Sequence, residues 1–594
     1  MQLISLAQAT RQARAAIARS PLVLLAGFLA AGFALALIHH DGEHPDLLRA
    51  LLAATLGLPL GVALETTRER RRLRAQWAWV IRVVAAATLI GFYFAAREWT
   101  SKLLAIRYLQ LSVVLHLLVA VLPFGSGGTE RGFWQFNRTL LQRFVLTTLY
   151  TGVLFAALAL ALAAIDKLFG IDVDNDAYLQ LLVLLAFVFH PWFFLGGLPA
   201  DLDALEANDD YPGAVKVFAQ FILLPIVTLY LAILTVYLGR VLVTRTWPSG
   251  WIGYLVTSVA VAGTFALLLV HPIRERADSR WVNVYGRWFY VALLPSIGML
   301  LVAIYQRVHQ YGVTESRYFL AVIAFWLAGI ALYYSVSRSR RIRLIPVTLC
   351  IVALATFLGP WSAVAIARRS QVGRLRTLLL RNNLLAGGQV RLAAQRLPIE
   401  DQRQIRDALK YLMETHGKPA LARVSEDLRA AAEGSSETFP VAAVMDVLGL
   451  KENESSDAIF FAEGKVAEPR IVTGYDYLVR ANLLEPFVIA TGEDSLAFTF
   501  AKTPPALHVA RRGRTLLEIN LGPLIEMASA IPGAQSPRKS GPGTGLQPLR
   551  LDAQGGGIRL RLLVTNLNAG RVQSELQLNH ALADVLVGID DPSP

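Results

Sequence analysis

Apolar runs long enough to cross a bilayer recur through the first two-thirds of the chain, and short arginine clusters punctuate alternate gaps between them. A span needs about 20 apolar helical residues to cross roughly 30 Å of hydrocarbon, and residues 1–366 hold about eleven such runs. They lie at approximately 21–39, 47–65, 77–96, 107–124, 144–165, 178–198, 217–239, 251–271, 288–306, 317–336 and 344–366. In lipid every backbone N–H and C=O must be satisfied internally, so runs of this kind predict a membrane-spanning all-α bundle.

The arginines give the bundle an orientation. With a cytoplasmic N-terminus, the inside segments receive Arg11, Arg14 and Arg19, the cluster from Arg68 to Arg74, then Arg131, Arg138 and Arg143, the group from Arg274 to Arg287, and Arg338 to Arg343. Inside exceeds outside by about twenty to nine, which favours this direction by the positive-inside rule. One inside loop dissents: Asp201 to Asp210 is acidic, with only Lys216 nearby. An odd number of spans then places the C-terminus in the periplasm of a bacterial inner membrane.

Composition narrows the class further. Hydrophobic residues make up 54% of the chain and charged residues 17%, which excludes a soluble fold for the N-terminal part. A net charge of +13 raises nucleic acid as a partner, but the basic residues sit mostly in short loops between apolar runs. There they read as topology signals and contacts with the bilayer and its anionic lipids, so no nucleic acid is expected. The single cysteine, Cys350, lies inside an apolar run and supplies neither a disulfide framework nor a metal site. His39-His40-Asp41-Gly42 stands where a small-residue cleavage site would follow the first run, so that run is expected to be a retained helix.

Beyond the spans the pattern changes twice. Residues 367–455 read as a helical connector: an amphipathic helix from Ser370 to Asn383, a polar one from Pro398 to about Met413, another from Lys418 to Ala432, and a short one from Phe439 to Leu450. Residues 456–594 alternate as strands, for example Ile558-Arg559-Leu560-Arg561-Leu562, with a flexible Pro/Gly/Ser-rich loop from Pro532 to Pro548. The expected fold is therefore a membrane helical bundle (1–366) followed by a soluble α+β domain rich in antiparallel strands. Residues from about 385 onward are expected to fold without the bundle.

Candidate functional residues are those whose polarity is costly in a membrane. His116 lies deep in the fourth run, where a neutral interhelical histidine is the plain reading and a ligand or proton role the sharper one. In His190-Pro191 the proline removes a helix hydrogen bond and frees a carbonyl, so the sixth run should be kinked or broken. A structural kink is the reading these residues favour, with a transport cavity as the alternative. Arg82 is expected to snorkel to the nearer surface. At Tyr311, Glu315 and Arg317, Thr314 can cap the tenth helix and Glu315 can complement its positive end; the alternative is a polar site through which a substrate enters. No metal site, cofactor site or catalytic constellation is legible.

Two motifs, Phe133-Trp134-Gln135-Phe136-Asn137-Arg138 and Tyr311-Gly312-Val313-Thr314-Glu315-Ser316-Arg317-Tyr318-Phe319, make the chain resemble the bacterial membrane proteins grouped as domain of unknown function 4153. Ser370-Gln371 and Tyr411-Leu412 are similar too, and the resemblance covers about residues 125 to 415. It implies a multi-span inner-membrane protein and brings no activity or site residues. Three functions stay open: a cell-envelope protein whose bundle anchors a periplasmic domain for a ligand or envelope partner, which the residues favour; a transporter or flippase using the sixth span; and an envelope lipid-linked transferase. A closed, dry bundle would favour the first, a water-filled midplane cavity at His116 and His190 the second, and an outer-face groove lined by the acidic residues of the outer loops (Glu98, Asp166, Asp172, Asp174, Asp176 and Glu315) the third.

Overall fold

A computed structural model describes residues 19–40, 42–125, 127–199, 201–244, 251–274, 280–337, 341–393, 397–434, 440–450, 459–462, 475–491, 494–502, 504–529, 549–572 and 575–589. Arg11, Arg14, Arg338, Arg340 and the Pro532–Pro548 loop lie outside them. The chain divides into two compact units, Met1–Gly449 and Leu450–Pro594.

Ten helices among the described residues of the first unit are long and apolar enough to span a membrane. They are α1 (Pro21–His39), α2 (Pro45–Arg71), α3 (Ala75–Ala95), α4 (Ser101–Val121), α5 (Glu130–Phe169), α6 (Asn175–Gly196), α7 (Gly213–Thr244), α8 (Trp251–Leu269), α9 (Arg280–Tyr311) and α10 (Glu315–Val336). Helix α5 far exceeds the expected run at 144–165: its 40 residues reach about 60 Å at 1.5 Å per residue. Thr129 caps its start by accepting from Gly132 N at 3.0 Å, and Gly170, with φ +64°, ends it.

The eleventh run differs from expectation. Helix α11 (Leu344–Phe357) has 14 residues and stops before Gly359-Pro360, where Gly359 takes φ +74°. A new helix, α12 (Ala363–Arg381), begins after Ser362, whose hydroxyl accepts from Ala365 N. Although α11 is only about 21 Å long, it connects opposite ends of the bundle. Its start meets α5, where Ile342 N donates to Glu130 Oε2 at 3.0 Å. Its far end meets α4 and α10, where Arg107 donates to Phe357 O at 2.6 Å and Tyr318 to Trp361 O at 2.7 Å.

Hydrogen bonds sort the loops into two layers. In one, Arg19 bonds Glu69 at 2.5 Å, Arg70 bonds Asp203 and Glu206, Arg131 pairs with Asp209 at 2.9 Å, and Arg343 reaches Glu130 at 2.7 Å. The acidic loop that dissented from the charge rule is thus the counter-charge of the arginine loops. Gln135 clamps it further by donating to Asn208 O and Asp210 O at 3.0 and 2.8 Å. Arg82 does not snorkel: it pairs at 2.7 Å with Glu65, a carboxylate only 2% exposed that Arg68 also engages at 2.6 Å. Burying a carboxylate unpaired costs several kcal/mol, so two guanidinium partners are what let Glu65 stay there (about 3–5 kcal/mol to break such a pair).

The kink expected in the sixth span takes the form of a π-turn, and the seventh span repeats it. In α6 the turn Leu185–Phe189 is a π-helix ahead of Pro191, and in α7 the turn Phe218–Leu223 is a π-helix ahead of Pro225. His190 N and Leu224 N each bond the carbonyl five residues back, Leu185 and Ala219. A wide turn shifts the ladder by one residue, so the missing proline N–H leaves the helix bulged and continuous. Helix α6 is therefore not broken. The carbonyl of Phe187, four residues before Pro191, points at α1, where a Cβ on Gly27 would lie 2.2 Å from it. Glycine there lets the two backbones approach.

After α12, a two-stranded turn β1 (Leu385–Ala386) and β2 (Gln389–Val390) leads to α13 (Ile399–His416), α14 (Glu426–Glu433) and α15 (Pro440–Val447). Residues 418–423, expected within one helix with 426–432, form a separate 3-10 turn. These helices pack into the first unit, with Thr100 donating to Thr415 O at 2.8 Å and Lys102 pairing with Glu414.

The second unit is built from β3 (Ile459–Ala462), β4 (Tyr477–Asn482), β5 (Phe487–Thr491), β6 (Asp494–Lys502), β7 (Pro505–Arg511), β8 (Arg514–Asn520), a short α16 (Gly522–Ser529), β9 (Leu549–Gly555), β10 (Ile558–Val572) and β11 (Glu575–Ile589). All pairs are antiparallel: a meander β5-β6-β7-β8, and a sheet β3-β10-β11-β4 with β9 beside β10. Alternation in β10 puts Ile558, Leu560, Leu562 and Val564 into one core with Phe498, Leu507, Val509 and Ile525. Asp476, for which the sequence offers no partner, accepts from Ile589 N at 2.7 Å and closes the end of β11. Because this core is self-contained, a Leu450–Pro594 fragment is expected to melt cooperatively by circular dichroism. A fragment from 385 would also carry α13, whose partners Thr100 and Glu315 it lacks, and is expected to lose that helix signal.

Candidate functional site

The sequence candidates fall at two places in the first unit. The first is an open cavity of about 470 Å³ between α1, α2, α4, α5 and α6, lined by His116, His190 and Pro191. Its walls are mainly apolar, from Val23, Leu58 and Val62 to Leu140 and Phe194, and its polar groups are Thr55, Tyr108, Ser112, Asn137 and the two histidines. Phe144, Leu141 and His116 are exposed, so the cavity opens sideways beside α4 and α5.

Contacts within and between helices position these polar groups. His116 Nδ1 lies 2.7 Å from Ser112 O, one turn back, which turns the imidazole along the cavity wall. His190 follows the π-turn, which rotates it towards α5; its Nε2 lies 3.2 Å from Thr148 Oγ1, and its ring stands edge-on to Phe144 at 5.6 Å. Thr55 and Tyr108 hydroxyls share a 3.1 Å contact between α2 and α4. Asn137 donates to Ala120 O at 3.2 Å and Phe133 O at 2.9 Å, tying α5 to the end of α4. Sequence reasoning misses Thr55, Tyr108 and Ser112. Each is an uncharged polar residue inside an apolar run, and nothing local separates one that faces a cavity from one that faces a neighbouring helix. Only Ser112, one turn before His116, carries a signal.

The second place gathers Tyr311, Glu315 and Arg317 with residues far along the chain. Gln371 donates to the carbonyls of Tyr311 and Val313 at 2.9 and 3.0 Å, and Ser370 Oγ accepts from Val313 N at 2.9 Å. Thr314 occupies the N-cap position but makes no side-chain cap bond, so the expected capping role is not its own. Glu315 does not face solvent at the helix start: it is 4% exposed and accepts the Tyr411 hydroxyl. Its other oxygen lies 3.3 Å from His416 Nε2, and neither of those two atoms completes an aligned hydrogen bond. Burial, then the nearby Arg368 charge, pushes the His416 imidazole down to about 4, so it is neutral at pH 7. Burial and the Glu315 carboxylate hold the Tyr411 phenol far above its usual range, so it remains a donor. This cluster fixes α13 to the start of α10. His416 escapes sequence reasoning because nothing in its neighbourhood marks a histidine at a helix end as buried.

Of the outer-loop acidic residues that the transferase reading draws on, Glu98, Asp166, Asp172, Asp174, Asp176 and Glu315, three have defined partners: Asp166 pairs with Lys167 at 2.8 Å, Asp174 accepts from Asp176 N, and Glu315 is held as above. These three are engaged at separate places.

Comparison with known proteins gives the chain relatives without an assigned activity. It is 27% identical over 312 residues to an uncharacterized protein of Pasteurella multocida (strain Pm70), covering 51% of this chain and 51% of that protein. The chain thus spans about half the length of the curated relative it matches. No solved structure matches it. Both motifs, the cavity and the Gln371 clamp fall in one matched region, and the chain belongs to the family described as Domain of unknown function (DUF4153), whose model matches residues 23–392.

Proposed function

We propose that this polytopic membrane protein binds an amphiphilic molecule, a lipid or lipid-linked compound, in the cavity between His116 and His190, and carries it in the manner of a transporter or flippase. The single observation behind this reading is that the two intramembrane histidines, far apart in sequence, line one cavity. Small-molecule sites are typically about 300–1,000 Å³, mostly apolar, with a few convergent polar groups. A sideways opening admits a ligand from the hydrocarbon, with its polar part meeting His116, His190, Tyr108 and Asn137. In this reading the strand-rich unit lies in the periplasm as a partner-binding or ligand-binding module.

The test is reconstitution of the full chain in liposomes carrying a fluorescent head-labelled phospholipid, read by dithionite quenching. Wild type is expected to expose lipid faster than protein-free vesicles. Leu141→Trp, which obstructs the mouth of the cavity, is expected to return the rate to that baseline with an unchanged melting temperature. A wild-type rate equal to that of empty vesicles would sink the transport reading.

The orientation proposed is that the layer containing Arg19 faces the cytoplasm. It rests on the arginine bias and on α11 running from that layer to the opposite one. Alkaline phosphatase fused after Pro594 is expected to be active, and fused after Ser337 inactive. The reverse pattern would invert the assignment.

A further inference from the structure

Two guanidinium groups converge on one backbone carbonyl where α9 ends. Arg317 Nη1 lies 3.3 Å from Tyr311 O and 2.8 Å from Gly312 O, and Arg374 Nη1 donates to the same Tyr311 carbonyl at 3.2 Å. Both cations also stand near the Tyr311 ring, at 5.5 and 5.8 Å from its centroid. The loop between α9 and α10 holds them in place. Gly312 takes φ +71°, and a Cβ there would lie 2.8 Å from the Gln371 amide nitrogen, so the turn is fixed by the same Gln371 clamp.

What is missing is a counter-charge. Among the described residues, no carboxylate lies within the 4.0 Å ion-pair distance of either guanidinium. Arg307 and Arg374 repel Arg317, while Asp407 and Glu400 attract Arg374 only from further off. Glu315, two residues before Arg317, turns the other way onto Tyr411. Arg19, Arg70 and Arg343 in this unit have carboxylate partners, whereas Arg107, like the pair at Tyr311, is held by a backbone carbonyl; what distinguishes the pair is that two guanidiniums meet on one carbonyl and one ring.

The level of the pair in the membrane narrows what binds it. Tyr311 closes one span and Glu315 opens the next, so the pair sits at the boundary between hydrocarbon and water. Tyr318 bonds Trp361 O at this level, and Trp361 is exposed, as residues of an interfacial aromatic belt are. Paired guanidiniums offer planar forks of donors that match phosphate oxygens.

We infer that Arg317 and Arg374 form a binding site for a phosphate group at the membrane surface, presented on a lipid headgroup or as the free anion. The site is separate from the His116–His190 cavity and stands or falls independently of it. Native mass spectrometry of the detergent-purified full chain, titrated with phosphatidylglycerol or with diacylglycerol, tests it. Wild type is expected to retain phosphatidylglycerol over diacylglycerol. Arg317→Gln/Arg374→Gln is expected to lose at least about tenfold of that retention, and the charge-matched control Arg376→Gln/Arg403→Gln to keep it.

Competition by millimolar inorganic phosphate would identify the free anion as a ligand of the site. Its failure to compete would assign the site to headgroups. Arg317→Lys/Arg374→Lys keeps the charge without the fork, and is expected to bind weakly but measurably even if the glutamine variant loses stability. Retention of phosphatidylglycerol by the glutamine variant at the wild-type level would overturn the inference.

Discussion

Gly27→Ala is expected to destabilise the bundle by about 1–3 kcal/mol, the usual range for forcing one extra carbon into a packed interior. The added Cβ would lie 2.2 Å from the Phe187 carbonyl oxygen, which belongs to the backbone of the π-turn and cannot rotate away. Relief requires α1 and α6 to separate or the π-turn to rewind against Pro191. Gly32, on the same helix, has nothing within 4 Å of the position a Cβ would take, so Gly32→Ala serves as the internal control. It is expected to be neutral or slightly stabilising, because alanine exceeds glycine in helix propensity by about 1 kcal/mol. Thermal melting of the purified protein in detergent measures both. Equal melting temperatures for the two variants would mean that α1 and α6 do not meet as described.

His190→Ala is expected to abolish lipid handling while leaving abundance and melting temperature close to wild type. The residues alone favour the opposite outcome, in which the histidine satisfies a kink and its loss destabilises. Geometry changes that expectation. The kink is absorbed by the π-turn, through the bond from His190 N to Leu185 O, and this bond is backbone and survives substitution. The side chain instead faces the cavity, with one polar contact to Thr148, whose hydroxyl can turn back to a carbonyl of its own helix. A drop in melting temperature equivalent to about 1–3 kcal/mol, the cost of leaving a buried polar group unpaired, would restore the structural reading. Loss of activity at normal stability supports the carrier.

Much of the architecture is legible because spans announce themselves by length and hydropathy, and strands such as Ile558–Leu562 by alternation. What the sequence misreads depends on partners far along the chain. Arg82 reads as a snorkelling residue only if Glu65 is not seen to lie against it. Glu315 reads as a helix-end charge until Tyr411, 96 residues on, is brought over it. The eleventh span reads too long because apolarity continues through Ala363–Ile366, whereas Gly359-Pro360 interrupts the backbone. The candidate histidines stand out for their cost in lipid, and that criterion says nothing about whether they share a cavity. Spacing in sequence could not bring His116 to His190, since they lie on helices separated by all of α5.

The ion pairs between the arginine loop after α2 and the acidic loop before α7 also set an order of events during synthesis. Arg72 bonds Asp203, a residue 131 positions later. At about 5–20 residues per second, its partner emerges from the ribosome roughly ten seconds after it does. During that interval Arg70 and Arg72 lack these partners, and by the positive-inside rule such free cations would hold the early helices on one side of the membrane. Once the later loop arrives, the same charges are neutralised and become a clasp between distant segments. In the proposed orientation this set of side chains would serve first as a signal to the insertion machinery, and it is afterwards part of the finished structure.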